Sequence, residues 1–378
     1  MNYTKFVGLD VHKKTIAVAI AEAGRAGEVR SYGTIVNTRK AVAHLVTTLS
    51  AGGRHPVLFA YEAGPCGYAL YRQLTAAKQA CQVVAPSLIP VKAGDRVKTD
   101  RRDALMLAKL LRAGELTAVQ VPAGEQEALR DLCRAREDAK QAELVARQRL
   151  LAFLLRHALS YAGKNWSAAH LRWLADQQLP SPTQQIVFEE YVRTVREATE
   201  RVARLTQQVT DAAQASSWAP TIRAYQALRG VSTVVATTVA AELGDLTRFA
   251  HPTPLMAFTG LVPSESSSGE RRRRGGITKT GNQHVRRVLV EGSWAYRHPA
   301  RVSKALLARQ EGLPQEVRDV AWRAQLRLCQ KYRRLTAQHK PHQVVITAVA
   351  RELTAYLWEI AQTVQGRTNR PHGQAAHT

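Results

Sequence analysis

Five short runs of β-forming residues fall within the first 86 positions, at 5–10, 15–21, 29–36, 56–62 and 81–86. Helical spacing fills 38–49 and 68–77 between the later runs. Three strands in succession, then helix, strand, helix, strand, leave few ways to fold. Helices must cover the apolar faces of a single mixed sheet. The basic stretch after Pro90 runs into a further helix expected to start near Asp100, and this α/β unit is expected to end near Pro122.

The remainder reads as helical almost throughout. Residues 125–159 form one long Ala- and Leu-rich stretch, and a second begins after Gln185. In the second, Tyr191, Val195, Ala198, Val202, Leu205, Val209 and Ala212 follow a strict 4-3 spacing, the mark of a coiled-coil seam. The two stretches would make an antiparallel hairpin, an arm that pairs with another subunit, or a plain spacer. After the boundary at Ser216–Pro220, residues 221–363 read as mostly helical. Within them lie a helix–turn–helix (227–246) packed through Val231, Val235, Val239 and Leu243, a basic helix (314–337), and an apolar helix (343–361) that closes the core. The expected division is therefore 1–122, an α/β domain; 123–215, a coiled-coil helical spacer; 216–363, a helical domain; and 364–378, a disordered tail.

Charge narrows the function. Lys and Arg number 54 against 30 Asp and Glu, a formal excess of +24 in 378 residues. Such an excess calls for a polyanionic partner, and nucleic acid leads because phosphate neutralisation releases counterions. No apolar run has membrane-spanning length and no signal-peptide core opens the chain, so no membrane partner and a cytoplasmic setting are expected. The four cysteines are scattered, with no CxxC pair, which argues against thiolate zinc sites and a disulfide framework.

Carboxylates occupy telling places. Asp10 ends the first strand, Glu62 ends a later one, and Asp100 and Asp103 lie three apart at a helix start. Four converging acids would repel unless a hard divalent cation, Mg²⁺ or Mn²⁺, compensated them. Lys13, Lys14, Lys92, Arg96, Lys98, Arg101 and Arg102 flank these acids and would attract a phosphate backbone. The plainer reading makes Asp100 and Asp103 an N-cap and its first-turn partner, and Asp10 and Glu62 turn residues. His12 close by could aid proton transfer, although a lone histidine is more often structural. Trp166, Trp173, Trp294 and Trp322 could stack on bases, with core burial the first expectation for each.

The stretches VGLDVHKKT, AYEAGPCGY and VKTDRRDALMLAKLL together resemble the N-terminal domain of the DEDD-type insertion-sequence transposases, which has a RuvC-like fold. The segment from LRGVSTVVATT through SESSSGERRRRGGITKTGNQHVRRVL resembles that family's second domain. The resemblance spans roughly residues 4–115 and 223–300. It implies a transposase-recombinase in which Asp10, Glu62, Asp100 and Asp103 bind Mg²⁺ and a serine just before a glycine attacks DNA. Here that serine is Ser268, with Ser266 and Ser267 beside it. It also implies a non-coding guide RNA encoded by the element, donor and target DNA, and a dimer or tetramer.

The chemistry of Ser268 stands beside that resemblance. A serine hydroxyl needs outside activation, and a phosphoserine link retains the energy of the broken phosphodiester. Strands could thus be resealed without ATP, and no phosphate-binding GxxxxGK[ST] sequence is present. Arg271, Arg272, Arg273, Arg274, Lys279, Asn282, Arg286 and Arg287 are candidates to hold the neighbouring phosphates. Three readings compete: the serine recombinase, a metal-dependent structure-specific nuclease in which water attacks, and a non-enzymatic nucleic-acid-binding protein.

Overall fold

A computed structural model describes residues 3–90, 99–268 and 271–368. Lys92, Arg96 and Lys98, most of the tail, and the side chains of Arg271, Arg272 and Arg274 lie outside the described residues. The chain divides into two compact units, Met1–Val121 and Pro122–Thr378.

The first unit is built on five strands: β1 (Lys5–Val11), β2 (Thr15–Glu22), β3 (Val29–Val36), β4 (Val57–Glu62) and β5 (Ala80–Val84). Their order is β3-β2-β1-β4-β5. The β1–β2 and β2–β3 pairs are antiparallel, while β1–β4 and β4–β5 are parallel. Three helices join them: α1 (Arg39–Ser50), α2 (Ala69–Ala76) and α3 (Asp100–Ala113). The strand succession called for this mixed sheet, and the resemblance to a RuvC-like domain called for its RNase H-like arrangement.

Side-chain size alternates along the strands and decides what packs on each face. In β2, Ile16, Val18 and Ile20 point one way and Ala17, Ala19 and Ala21 the other. The bulky set joins Val7, Leu9, Phe59 and Tyr61 against Val42, Leu45 and Leu49 of α1 and Leu70 and Leu74 of α2. On the small-residue face, α3 lies close through Ala104 and Ala108. Gly8 is what allows this. A Cβ there would stand 2.5 Å from the Ala108 nitrogen and 2.9 Å from the Leu107 Cβ, and closer still to the Ala104 carbonyl. At its far end α3 is tied down by Arg112, which donates to the Glu22 and Gly27 carbonyls at 3.2 and 2.7 Å.

The second unit contains α4 (Gly124–Arg156), α5 (Ala168–Ala175), α6 (Pro182–Ala215), α7 (Ala219–Tyr225), α8 (Thr233–Leu243) and α9 (Pro252–Phe258). The strands β6 (Pro263–Ser268) and β7 (Arg271–Ile277) follow, then α10 (Gln283–Ser293), α11 (Lys304–Gln310), α12 (Gln315–Ala337) and α13 (His342–Thr368). Helices α4 and α6 form an antiparallel hairpin. Phe153 and Leu154, late in α4, pack with Phe188 and Val195, early in α6, while Leu129 and Cys133 meet Val209 and Ala212 at the other end. The 4-3 stripe of α6 is thus used within the chain. Arg136 donates to the Thr206 hydroxyl at 2.8 Å, and Thr199 donates to the nearly fully buried Glu143 at 3.0 Å.

Helix α13 is the axis of the second core. Val345, Ile346, Val349, Leu353, Leu357 and Ile360 are all buried, with α7, α9, α10 and α12 packed against it. Val231, Val235, Val239 and Leu243 are buried in the same core, as their spacing implied. The Ser/Arg/Gly stretch, read from the sequence as a loop, forms the antiparallel pair β6–β7. Its exposed, polar residues carry no apolar alternation. Backbone hydrogen bonding alone defines the strands, which is why hydropathy did not reveal them. Among the described residues no helix is long and apolar enough to cross a membrane.

Candidate metal centre and serine hairpin

Asp10 and Glu62 come together through sheet register. Leu9 of β1 pairs with Tyr61 of β4 in the parallel ladder, so the next positions on the two strands are Asp10 and Glu62. By alternation both lie on the small-residue face that carries α3. Thr99 caps α3, its hydroxyl accepting from the Arg102 amide at 3.3 Å. Asp100 is therefore the first residue of the helix and not its cap, which corrects the plainer reading of that pair. Asp100 and Asp103 both stand in the first turn, where the helix dipole favours negative charge.

The side chains converge more tightly than the four-acid pattern suggested, and around a different set. Asp10, His12 and Asp100 each bring one ligand atom into a group whose members lie within 4.8 Å of one another. The His12 Nε2 is 3.3 Å from Asp10 Oδ2 and 3.5 Å from Asp100 Oδ2. Glu62 and Asp103 stand outside this tight group. Burial pushes the Asp10 carboxyl above the usual carboxylate range, and the charges of Asp100 and Asp103 add to that, while His12 pulls the other way. A carboxylate raised by burial and by like charge marks a place short of positive charge. The two carboxylates suit Mg²⁺ or Mn²⁺, hard cations that take oxygen ligands, and the imidazole adds a nitrogen donor beside them. His12 was visible in the sequence: two residues after Asp10, it falls on the same side of a strand. The extended run continues that far, since the His12 amide donates to the Thr15 carbonyl at 2.9 Å.

Ser268 is the last residue of β6, exposed and paired in register with Arg271. Ser267 pairs with Arg272, Ser266 with Arg273 and Glu265 with Arg274, so each serine of this run faces an arginine position. The feet of the hairpin are pressed together. The Thr278 amide donates to the Val262 carbonyl at 2.9 Å, and the Asn282 amide to the Phe258 carbonyl at 3.3 Å. Gly281, at φ +78°, is required here, because a Cβ would overlap the Phe258 carbonyl. Arg286 ties both feet by donating to the Thr259 and Thr280 carbonyls at 3.1 and 3.4 Å.

Below the feet lies a buried charge. The Glu242 side chain is 1% exposed and accepts two bonds from Arg134, at 2.7 and 3.0 Å, and one from Asn282 at 2.7 Å. Arg130 adds an ion pair at 3.6 Å. Burial alone would raise the Glu242 carboxyl, but Arg134 and Asn282 outweigh it and hold the group below its usual range. The same Asn282 caps α10, its oxygen accepting from the Val285 amide at 2.9 Å. Both ends of that amide are thus committed inside the protein. Arg287 bonds Glu137 at 2.7 Å and Glu291 at 2.9 Å. Of the other basic candidates, Lys13, Lys14, Arg101 and Arg102 are exposed in the first unit, and Arg273 and Lys279 in the second.

Comparison with known proteins adds a family context. A model described as "Transposase IS116/IS110/IS902 family" matches residues 222–307, which include the serine hairpin. A second, the DEDD-type "Transposase" model, matches residues 7–158, which include Asp10, Glu62, Asp100 and Asp103. The putative transposase y4qE of Sinorhizobium fredii is 47% identical over 365 residues, covering 96% of this chain and 90% of its own. The transposase for insertion sequence element IS1533 of Leptospira borgpetersenii is 29% identical over 343 residues, covering 89% and 97% respectively. A probable family 20 transposase of Pseudomonas aeruginosa is 28% identical over 250 residues, covering 64% and 71%.

Proposed function

Because this chain belongs to the IS116/IS110/IS902 family of transposases, enzymes that act on DNA, we propose that it cuts and rejoins DNA through a phosphoserine link at Ser268. Asp10, Glu62, Asp100 and Asp103, joined by His12, would hold Mg²⁺ or Mn²⁺. The convergence of Asp10, His12 and Asp100 at the end of β1 supports the metal site, and the observation that supports the serine is Ser268 exposed at the end of β6 within the segment the family model matches. A bound cation there would supply Lewis-acid stabilisation of charge developing on phosphate oxygens.

In the step assigned to this chain's residues, Ser268 Oγ bonds to phosphorus and the bond from phosphorus to the leaving strand breaks. That strand departs as an alcohol, carrying the proton the serine gives up. One phosphodiester replaces another, so reversal by a different strand end rejoins DNA without an energy source. Lys13, Lys14, Arg101, Arg102, Arg273 and Lys279 are exposed and can hold the flanking phosphates.

The test is a denaturing gel of end-labelled DNA incubated with protein and Mg²⁺. A protein–DNA adduct that disappears in Ser268→Ala is expected. Cleavage without an adduct, surviving that substitution, would instead establish the water-using nuclease. The latter draws its support from the Asp10–His12–Asp100 group, which needs no serine to bind a metal.

An element-encoded non-coding RNA would choose the DNA by base pairing, as part of a dimeric or tetrameric assembly. Support for it here is the +24 charge. Sequencing the nucleic acid that co-purifies should return one dominant element-derived RNA, and random host fragments would eliminate the guide.

A further inference from the structure

Helix α12 has two exposed edges of unlike character. On one, basic residues are matched by α13: Arg323 bonds Glu359 at 2.5 Å, and Arg327 and Lys331 bond Glu352 at 3.3 and 2.7 Å. The other edge runs Arg318, Trp322, Leu326, Arg333 at helical spacing, with Asp319 at its border. Trp322 is 43% exposed and Leu326, one turn on, is 47% exposed. Arg318 and Arg333 are exposed, and neither has an ion pair among the described residues. Asp319 accepts a hydrogen bond from the Gln315 amide at 2.7 Å. Trp294, on the short turn that packs against α12, is exposed as well. These two tryptophans thus depart from the burial expected of them.

An isolated exposed apolar residue needs no explanation. Here a tryptophan and a leucine form one continuous step bracketed by unmatched arginines, and from Arg318 to Arg333 the strip is about 22 Å long. An apolar protein partner would leave those guanidinium groups buried and unpaired. A polyanion with aromatic bases satisfies both halves, with phosphates on the arginines and a base against the indole. Stacking requires a base free of its complement.

We propose that this edge of α12 docks a single-stranded stretch of DNA, with Trp322 stacking on one base, Leu326 against its neighbour, and Arg318 and Arg333 on the phosphates. The proposal rests on DNA being the substrate and is independent of which atom attacks phosphorus.

The test is binding of a short fluorescent oligothymidylate to the full-length protein in EDTA, where no cleavage step is involved, followed by anisotropy over a range of salt. Trp322→Ala should weaken binding about 5- to 150-fold, the range seen for loss of one stacked base, while Trp322→Phe keeps most of the affinity. The double variant Arg318→Ala/Arg333→Ala should lower the slope of log affinity against log salt by about 1.4. Wild-type affinity in a folded Trp322→Ala protein would overturn the proposal. So would an oligouridylate whose binding falls when that of the DNA oligomer does not, which would assign the strip to RNA. A loss of self-association by light scattering with DNA affinity intact would make the strip a contact between copies. Because the measurement excludes catalysis, its failure leaves the Ser268 reading standing, and the reverse also holds.

Discussion

Gly8→Ala is the most direct probe of how the fold sets the spacing of the metal centre. The added Cβ would lie 2.5 Å from the Ala108 nitrogen and 2.9 Å from the Leu107 Cβ, against an ordinary contact of 3.4 Å or more. All its neighbours belong to α3, and most are backbone, so no rotamer change relieves the overlap. The helix must instead move off β1 by about 1 Å, a change of the overpacking kind that costs about 1–3 kcal/mol. Arg112 holds the far end of α3 to the Glu22 and Gly27 carbonyls, so the displacement falls on the near end, where Asp100 stands. Asp100 would then leave Asp10 and His12 by a similar distance, and misplacement on that scale costs on the order of 10²-fold in rate. Two assays are needed. Urea unfolding should show the lost stability, and calorimetric Mn²⁺ titration should show weakened binding. A Gly8→Ala protein with unchanged midpoint and Mn²⁺ affinity would refute the claim that this contact sets the spacing.

Glu242→Gln should cost about 3 kcal/mol, since it leaves Arg134 and Arg130 around a buried neutral amide. The wild-type carboxyl is held below its ordinary 4.5, so it stabilises the fold above that pH, and the contribution is lost as pH falls through the depressed folded value. Acid titrations followed by circular dichroism should show this slope in wild type and its absence in the variant. Gly281→Ala should cost about 1–3 kcal/mol through its clash with the Phe258 carbonyl and should reduce adduct formation at Ser268, measured on the same denaturing gels.

Period and order made the first unit readable. The alternation of Ile16, Val18 and Ile20 with Ala17, Ala19 and Ala21 declares a strand with one crowded and one shallow face, and the strand succession leaves few topologies. Asp10 and Asp100 could be singled out because each sits at an element end, where local signals are strong. What escaped depends on partners distant in sequence. The inward roles of Asn282 and Arg287 require Glu242 and Glu137, and nothing local to the GNQHVRR stretch reveals either. The β6–β7 hairpin escaped because its residues are polar on both sides. Trp322 was expected in the core because aromatic residues usually are, and helical spacing alone does not say which stripe of α12 meets α13.

The layer between α3 and the sheet is lined with alanine and glycine. Side chains without rotamers have no alternative states to populate on warming. The gap between helix and strands is thus a narrow gauge, set by van der Waals contact of backbone and methyl groups, where a leucine-filled layer would breathe. Groups mounted on its two sides, Asp10 on one and Asp100 on the other, keep their interval across the temperatures at which the fold survives.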